Sequence, residues 1–347
     1  MRYLAYNYGM ENWILTGKRA LNKQDQTEIS VLPNQVKVKV SHVLVSNYDA
    51  HLFNGDVQVA YPKTVGRWAV GIITEVGEEC YGIEKGNKVF LNPTKNCGQC
   101  VACKSGNQEN CNDILIAGKD FNGFMRDFVV CEYTDVSVLP DDLDDLYALC
   151  IENVALAERI FENLNLPVGS KVAIVGSGFT ANLLCQIAQY HKLVPIVIDN
   201  NAQNLERAKK AGAYYSFPAD DDLITNVSEA TGGAMCDASI FTTCSNLRPH
   251  ISARVVKNGA TVVFAGFSTV NFNFEAHYIF EKSLKIFSVT NGYDYSEVAI
   301  NMLMHNAITL DLFEKEVLTD FDAKDVLAKR FDEIAFSSKM TVLKLII

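Results

Sequence analysis

Nowhere in the 347 residues is there an apolar run approaching the roughly 20 residues that a membrane-spanning helix needs. The opening stretch, residues 1–17, carries one early arginine but lacks the apolar centre of a secretion signal, so the chain is expected to be soluble and cytoplasmic. Positive charge is also scarce. Only 31 Lys and Arg stand against 41 Asp and Glu, a net charge of −10, which argues against nucleic acid and membrane partners because both recruit clustered cations. No unit of roughly 20–50 residues repeats. No linker is rich in Pro, Gly or Ser, so two closely packed domains are expected, with a cleft between them as the site. What is present is an ordinary globular composition, 48% hydrophobic and 21% charged, on a chain long enough for two cores. A small-molecule partner fits that balance best.

The first part reads as short alternating strands, Val36–Val40, Ala69–Ile73 and Lys88–Phe90, punctuated by Gly66, Gly77, Gly82 and Gly86. From about residue 148 the pattern changes. Helical stretches such as Leu205–Ala213 alternate with apolar strands at Val172–Val175, Pro195–Ile198, Ala238–Phe241, Thr261–Ala265 and near Ile286–Val289, the signature of an α/β domain with a parallel sheet. The tail Lys339–Ile347 reads as a last strand.

Lys171–Val175 runs directly into Gly176-Ser177-Gly178-Phe179-Thr180-Ala181 and then an apolar helix, Asn182–Tyr190. That order of strand, glycine turn and helix is what dinucleotide binding needs. Gly176 permits the tight turn, Gly178 lets backbone approach a pyrophosphate, small Ala181 permits close helix packing, and the helix N-terminus faces the anion. Asp199 closes the next strand about twenty residues on, placed to accept hydrogen bonds from ribose hydroxyls and to repel a 2′-phosphate, so NAD(H) is expected over NADP(H).

Cys97, Cys100, Cys103 and Cys111 fall within one loop, residues 92–113, with gaps that let four thiolates wrap one tetrahedral Zn²⁺. A closed four-sulfur shell leaves no position for substrate, so this zinc is expected to be structural. A ferredoxin-like cluster would continue with a three-residue gap and Pro, which this loop lacks. The other six cysteines, Cys80, Cys131, Cys150, Cys185, Cys236 and Cys244, are scattered and read as core residues.

Together these residues resemble the medium-chain dehydrogenase/reductase family of zinc-containing alcohol dehydrogenases, over the whole chain. Further matching stretches are Glu75-Val76-Gly77, Asn122–Phe128 and Glu206–Ala213. The resemblance implies a doubly wound α/β Rossmann domain at 148–289 and a GroES-like β-barrel catalytic domain from 1–147 and 290–347. It also implies a homodimer or homotetramer, built partly by pairing Rossmann-sheet edges near residues 261–290. Gly-Phe-Met-x-Asp-Phe-Val, at Gly123–Val129, and the closing Lys-x-x-Val-Leu-Lys, at Lys339–Lys344, look similar to polyol-phosphate dehydrogenases of cell-surface polymer pathways, within the polyol and sugar dehydrogenase branch.

The resemblance breaks at the catalytic metal. Where zinc-dependent members open Cys-Gly-Ser/Thr-Asp-x-His, this chain has Ser46-Asn47-Tyr48-Asp49-Ala50-His51, and the His-Glu pair after a glycine is Arg67-Trp68. A hydroxyl, a cation and an indole do not hold zinc. The further acidic ligand survives as Glu152, so a rearranged site through Asp49, His51 and Glu152 stays open. The resemblance otherwise places Tyr48 at the proton-relay hydroxyl, His51 at the relay histidine and Arg67 where a ligand would sit, with Asp49 orienting the loop. The expected reaction is NAD(H)-dependent interconversion of a secondary alcohol, a polyol or sugar derivative, and a carbonyl without catalytic zinc. Two alternatives stand beside it: a zinc-free enone or quinone reductase, which the Ser46–Asp49 segment also resembles, and a non-catalytic NAD(H)-binding sensor or scaffold.

Overall fold

The computed structural model describes residues 11–25, 27, 30–242, 247–266, 274–292, 294–319, 324–334 and 339–345. Its elements run in chain order as β1 (Glu11–Gly17), β2 (Ala20–Asp25), β3 (Gln35–Val45), α1 (Asn47–Asn54), β4 (Lys63–Thr64), β5 (Trp68–Val76), β6 (Lys88–Leu91), β7 (Thr94–Lys95), α2 (Val101–Lys104), β8 (Leu115–Ile116), β9 (Phe128–Glu132), β10 (Val136–Val138) and α3 (Asp145–Ala148). There follow α4 (Ile151–Leu164), β11 (Lys171–Val175), α5 (Phe179–Tyr190), β12 (Val194–Asp199), α6 (Ala202–Lys210), β13 (Tyr215–Pro218), α7 (Leu223–Ala230), β14 (Cys236–Phe241), α8 (His250–Arg254), β15 (Val256–Ala265), α9 (His277–Lys282), β16 (Lys285–Val289) and α10 (Ser296–Met304). The chain closes with β17 (Lys315–Leu318), α11 (Lys324–Ile334) and β18 (Met340–Lys344).

Two compact units result: Met1–Leu149 with Lys315–Phe336 and Met340–Ile347, and Cys150–Glu314 with Ser337–Lys339. In the first, β3 is the spine. Its Val36, Val38, Val40 and Val43 are buried, while Lys37 reaches Glu75 through its Nζ at 2.8 Å and lies over the Phe128 ring. The strand pairs antiparallel with β5, β9 and β18 in a seven-stranded sheet of order β10-β6-β5-β3-β18-β17, with β9 also on β3. The tail therefore does return to this unit as a strand, Thr341 opposite Val45. Helix α11 buries Phe331 against Phe53 of α1, ring centroids 5.2 Å apart, and so fixes the back of the helix that carries Tyr48, Asp49 and His51.

The second unit is a six-stranded, wholly parallel sheet of order β13-β12-β11-β14-β15-β16. Numbered within the unit this is 3-2-1-4-5-6, the doubly wound order in which β11 and β14 flank the point where the winding reverses. Buried Ala173, Val175, Ile196, Ile198 and Val262 make the continuous apolar strands that a sheet covered on both faces requires. Strand β16 is its outer edge. The return to the first unit begins at Lys315 and not at residue 290 as the resemblance implied. Contacts distant in the chain hold it there: α10 packs on α4, Gln186 exchanges both amide hydrogen bonds with the Thr309 backbone, and the Arg159 guanidinium donates to the Asn291 backbone and side-chain oxygens.

Candidate functional site

The glycine turn stands where the sequence placed it. Gly176 adopts φ 106°, a conformation that side chains resist, and its N–H donates to the Ile198 carbonyl at 2.8 Å. Gly178 is the N-cap of α5, and a Cβ there would meet nothing within 4 Å, so backbone lies open beside the first turn. The helix begins at Phe179, three residues before the expected Asn182, and Asn182 serves instead as a clamp: its Nδ2 donates to the Ser177 and Gly178 carbonyls at 3.1 and 2.9 Å. Ala181 is buried. The buried Ser177 Oγ has no hydrogen-bond partner among the described residues, a polar atom that a bound phosphate could satisfy. Asp199 ends β12 with one carboxylate oxygen accepting from the Asn201 N–H at 2.8 Å. Sequence, turn and orphan donor all fit a dinucleotide.

The four cysteines converge. Their sulfur atoms all lie within 4.8 Å of one another, and Cys97 Sγ to Cys103 Sγ is 3.9 Å. A zinc tetrahedron with Zn–S of about 2.3 Å has edges of about 3.8 Å, so the pair is already at ligand spacing. Backbone N–H groups aim at the sulfurs: Cys97 N at Cys111 Sγ, Cys100 N at Cys97 Sγ and Cys103 N at Cys100 Sγ, at 3.3–3.5 Å. The Cys103 and Asn112 N–H groups hold the Cys100 thiol down to about 6. Desolvation, then hydrogen bonds shared with Cys100 and Cys111, pushes Cys103 up to about 12. One thiolate forms readily and the next resists, because crowded negative sulfurs need a cation between them. The short ladder β7–β8 closes the base of the loop. None of the nine described cysteines forms a disulfide, and Cys244 lies outside the described residues.

Tyr48, Asp49 and Arg67 meet in the first unit. Ser46 caps α1: its Oγ accepts from the Asp49 N–H, while Asp49 Oδ2 accepts from the Ser46 N–H at 3.0 Å and the Ser46 hydroxyl at 2.6 Å. The other carboxylate oxygen accepts the Gly66 N–H at 2.9 Å. Gly66 has φ 95°, and a Cβ there would stand 2.8 Å from the Met125 nitrogen, so the tight turn before Arg67 needs glycine. Fully buried Asp49 thus ties α1 to the Gly66-Arg67 turn, and burial raises its pKa against the opposing pull of these hydrogen bonds and of Arg67.

Arg67 is 6% exposed and lies between two aromatic rings, its guanidinium carbon 5.3 Å from the Tyr48 centroid and 5.2 Å from that of Trp68. Its Nε and the Trp68 Nε1 are buried with no hydrogen-bond partner among the described residues. Burial first raises the Tyr48 hydroxyl to about 12, with Arg67 opposing, so at neutral pH the phenol is a proton donor. His51, one turn along α1, has Nδ1 2.9 Å from Asp56 Oδ2. The left-handed Gly55 folds the chain back to bring that carboxylate there. Asp56 was not singled out in the sequence, where the Asn54-Gly55 helix stop was the available signal, and Trp68 was noted there only as a residue in place of a metal ligand, with no role of its own.

The residues at the positions where the family's zinc ligands would stand are poor zinc donors. Ser46 is occupied as a helix cap, and the two positions after Gly66 present a guanidinium and an indole. Asp49 is committed to Ser46 and Gly66, and Glu152, buried in the second unit, accepts the Gly292 N–H at 3.1 Å. Among the described residues the only groups of three or more donors that converge are the four cysteines and Glu158, Glu162 and His191.

Residues 32–141 match the family model of the alcohol dehydrogenase GroES-like domain, and residues 181–305 that of the zinc-binding dehydrogenases. A sorbitol dehydrogenase from Halalkalibacterium halodurans is 29% identical over 230 residues, 65% of this chain and 66% of its own length, so the match spans just under two thirds of that relative. Among solved structures, a protein from Escherichia coli CFT073 described as a short chain alcohol dehydrogenase and complexed with NADH superposes with TM-score 0.83 at 22% identity, covering 97% of this chain and 99% of that one. A protein from Sinorhizobium meliloti 1021 classed with the zinc-binding dehydrogenases and bound to NADP gives TM-score 0.85 at 20% identity over 98% and 100%. No helix among the described residues is long and apolar enough to cross a membrane.

Proposed function

The chain belongs to the zinc-type medium-chain alcohol dehydrogenase family, and from that premise we propose that it interconverts a secondary alcohol and a carbonyl with NAD(H), without a catalytic zinc. The observation that carries the reading is Arg67: a buried guanidinium, without a hydrogen-bonded counter-charge among the described residues, beside a protonated phenol. The nicotinamide supplies or accepts the hydride. The chain's own part is to bind and orient the substrate and to stabilise charge on its oxygen. A desolvated guanidinium is a strong fixed cation for that oxygen, and Tyr48 can donate the proton that a carbonyl needs when it becomes an alcohol. His51, oriented by Asp56, is proposed to pass that proton outward, and Asp49 to hold the Tyr48-Arg67 arrangement in place.

Gly176, Gly178, Ala181 and Asp199 are proposed to bind the dinucleotide, with Asp199 on the ribose hydroxyls favouring NAD(H). Replacing Asp199 by Ala is expected to lower the preference for NADH over NADPH by about tenfold or more, read as the ratio of Kd values. Cys97, Cys100, Cys103 and Cys111 are proposed to hold one structural Zn²⁺. For substrate, the sorbitol dehydrogenase relative supports a polyol or sugar derivative, and Arg67 would suit one carrying an anionic group. A cytoplasmic homodimer or homotetramer joined at the β16 edge completes the proposal.

The test is a panel of polyols, sugar acids and their phosphates with NAD⁺, and of ketoses and enones with NADH, followed at the nicotinamide absorbance. Turnover of a polyol or ketose that is lost in Arg67→Met and Tyr48→Phe supports the reading. Turnover of enones alone would make the chain a C=C reductase, and NADH binding with no turnover would make it a sensor.

A further inference from the structure

One cluster in the second unit is absorbed by none of the chemistry above. Glu158 and Glu162 stand one turn apart on α4, and His191 is the C-cap of α5, which packs alongside. Their donor atoms lie within 4.8 Å of one another. Glu158 is only 5% exposed, and one of its oxygens faces His191 Nε2 at 2.9 Å. The other oxygen, Oε2, is buried with no hydrogen-bond partner among the described residues. A carboxylate withdrawn from water with one oxygen bare is costly unless a cation reaches it. His191 meets the first oxygen, and among the described residues no side chain reaches the second. Arg159, next along the helix, is turned to Asn291, donating to its backbone oxygen at 3.2 Å and its side-chain oxygen at 2.7 Å. Tyr295 lies within reach of the same carboxylates, its hydroxyl raised by burial and then by Glu162 and Glu158, with Arg159 opposing.

We propose that Glu158, Glu162 and His191 form a second metal site, one for a first-row divalent cation of the zinc class, distinct from the four-cysteine loop. One imidazole and two carboxylates are the donors such an ion takes when no thiolate is offered, and water completes the shell. Replacing the His191 proton by a divalent ion would satisfy both the imidazole nitrogen and the bare Glu158 oxygen. The ion would pin α4 to the end of α5, the helix whose first turn carries Gly178. This site does not depend on the reaction the protein catalyses.

The experiment is equilibrium dialysis of the full chain, already carrying its tightly held zinc, against increasing Zn²⁺, with zinc per chain counted by elemental analysis. A second equivalent is expected, with its affinity reduced at least about tenfold in Glu162→Gln and in His191→Gln, and more in Glu158→Gln. Glu162 is exposed, so its variant keeps the test valid should Glu158→Gln fail to fold. Substituting Co²⁺ gives an independent readout, since filling this site should shift the His191 ring resonances by paramagnetism. Absence of a second equivalent, or one that binds Glu162→Gln and His191→Gln as tightly as the parent, overturns the proposal. A second equivalent lost in His51→Ala instead would overturn it too, and would place a metal where Arg67 is argued to act.

Discussion

Two regions of the first unit, proposed to stand where the zinc alcohol dehydrogenases hold their two metal ions, differ sharply in the groups they offer. In the loop at residues 92–113 four thiols converge to ligand spacing with backbone N–H groups trained on the sulfurs. Around Gly66 a capped helix and a carboxylate-bound turn present a hydroxyl, a guanidinium and an indole. The lesson is that a site's frame and its chemistry are separable. The Ser46–Asp49 capping box and the Asp49–Gly66 hydrogen bond hold the geometry whatever occupies residues 67 and 68. A fixed positive charge sits there, on the Arg67 side chain.

The widest gap between the two regions should open on removing one ligand from the loop. Cys103→Ser is expected to release the zinc and unfold the loop, since structural zinc contributes on the order of 10 kcal/mol in small domains. Insoluble protein, or zinc content near zero with a large fall in Tm, is the expected result; a stable variant that keeps its zinc would break the comparison. In the other region activity, not stability, should fail. Arg67→Met keeps a long apolar side chain beside Tyr48 and Trp68 while removing a buried charge, so Tm should hold or rise while kcat/KM falls by about a thousandfold. Tyr48→Phe removes one hydroxyl and is expected to cost about a hundredfold in kcat with NADH affinity unchanged, by stopped-flow binding.

The smallest effect expected lies outside both regions and calibrates them. Asp145 bonds His42 Nδ1 at 3.0 Å and Lys88 Nζ at 3.3 Å, and the His42 hydrogen bond first of all holds its carboxyl below the ordinary 3.8. A depressed carboxylate contributes stability above its unfolded value and loses it as pH falls through the folded one. With Asp145 about 30% exposed, Asp145→Asn should cost no more than about 1 kcal/mol in urea unfolding near pH 6, and that cost should shrink steadily below pH 3.8.

Much of this was legible in the sequence because it is local. Gly176–Ala181 follows its strand directly, and the cysteine spacing sits in a single loop, so turn and donor set could be read without knowing the fold. The alternating valines of β3 marked a half-buried strand for the same reason. What escaped depends on contacts distant in the chain. Residues 290–314 stay with the second unit because α10 packs on α4, more than 130 residues upstream, and the bond from Gly292 to Glu152 spans the same gap. The Arg67 sandwich joins residues from two segments, and its cation–π contacts leave no mark on spacing or periodicity. The family's pattern located the substitution at residue 67; only packing showed that the guanidinium is buried without a hydrogen-bonded carboxylate among the described residues.

The central claim is that Arg67 has taken over the charge of a lost catalytic zinc. Zinc per active chain, counted by elemental analysis on protein purified without added metal and dialysed against a chelator, tests it most directly. One tightly held zinc per chain, with activity unchanged by chelation and abolished in Arg67→Met, is the result expected. A second zinc whose removal in His51→Ala or by the chelator abolishes turnover would contradict it.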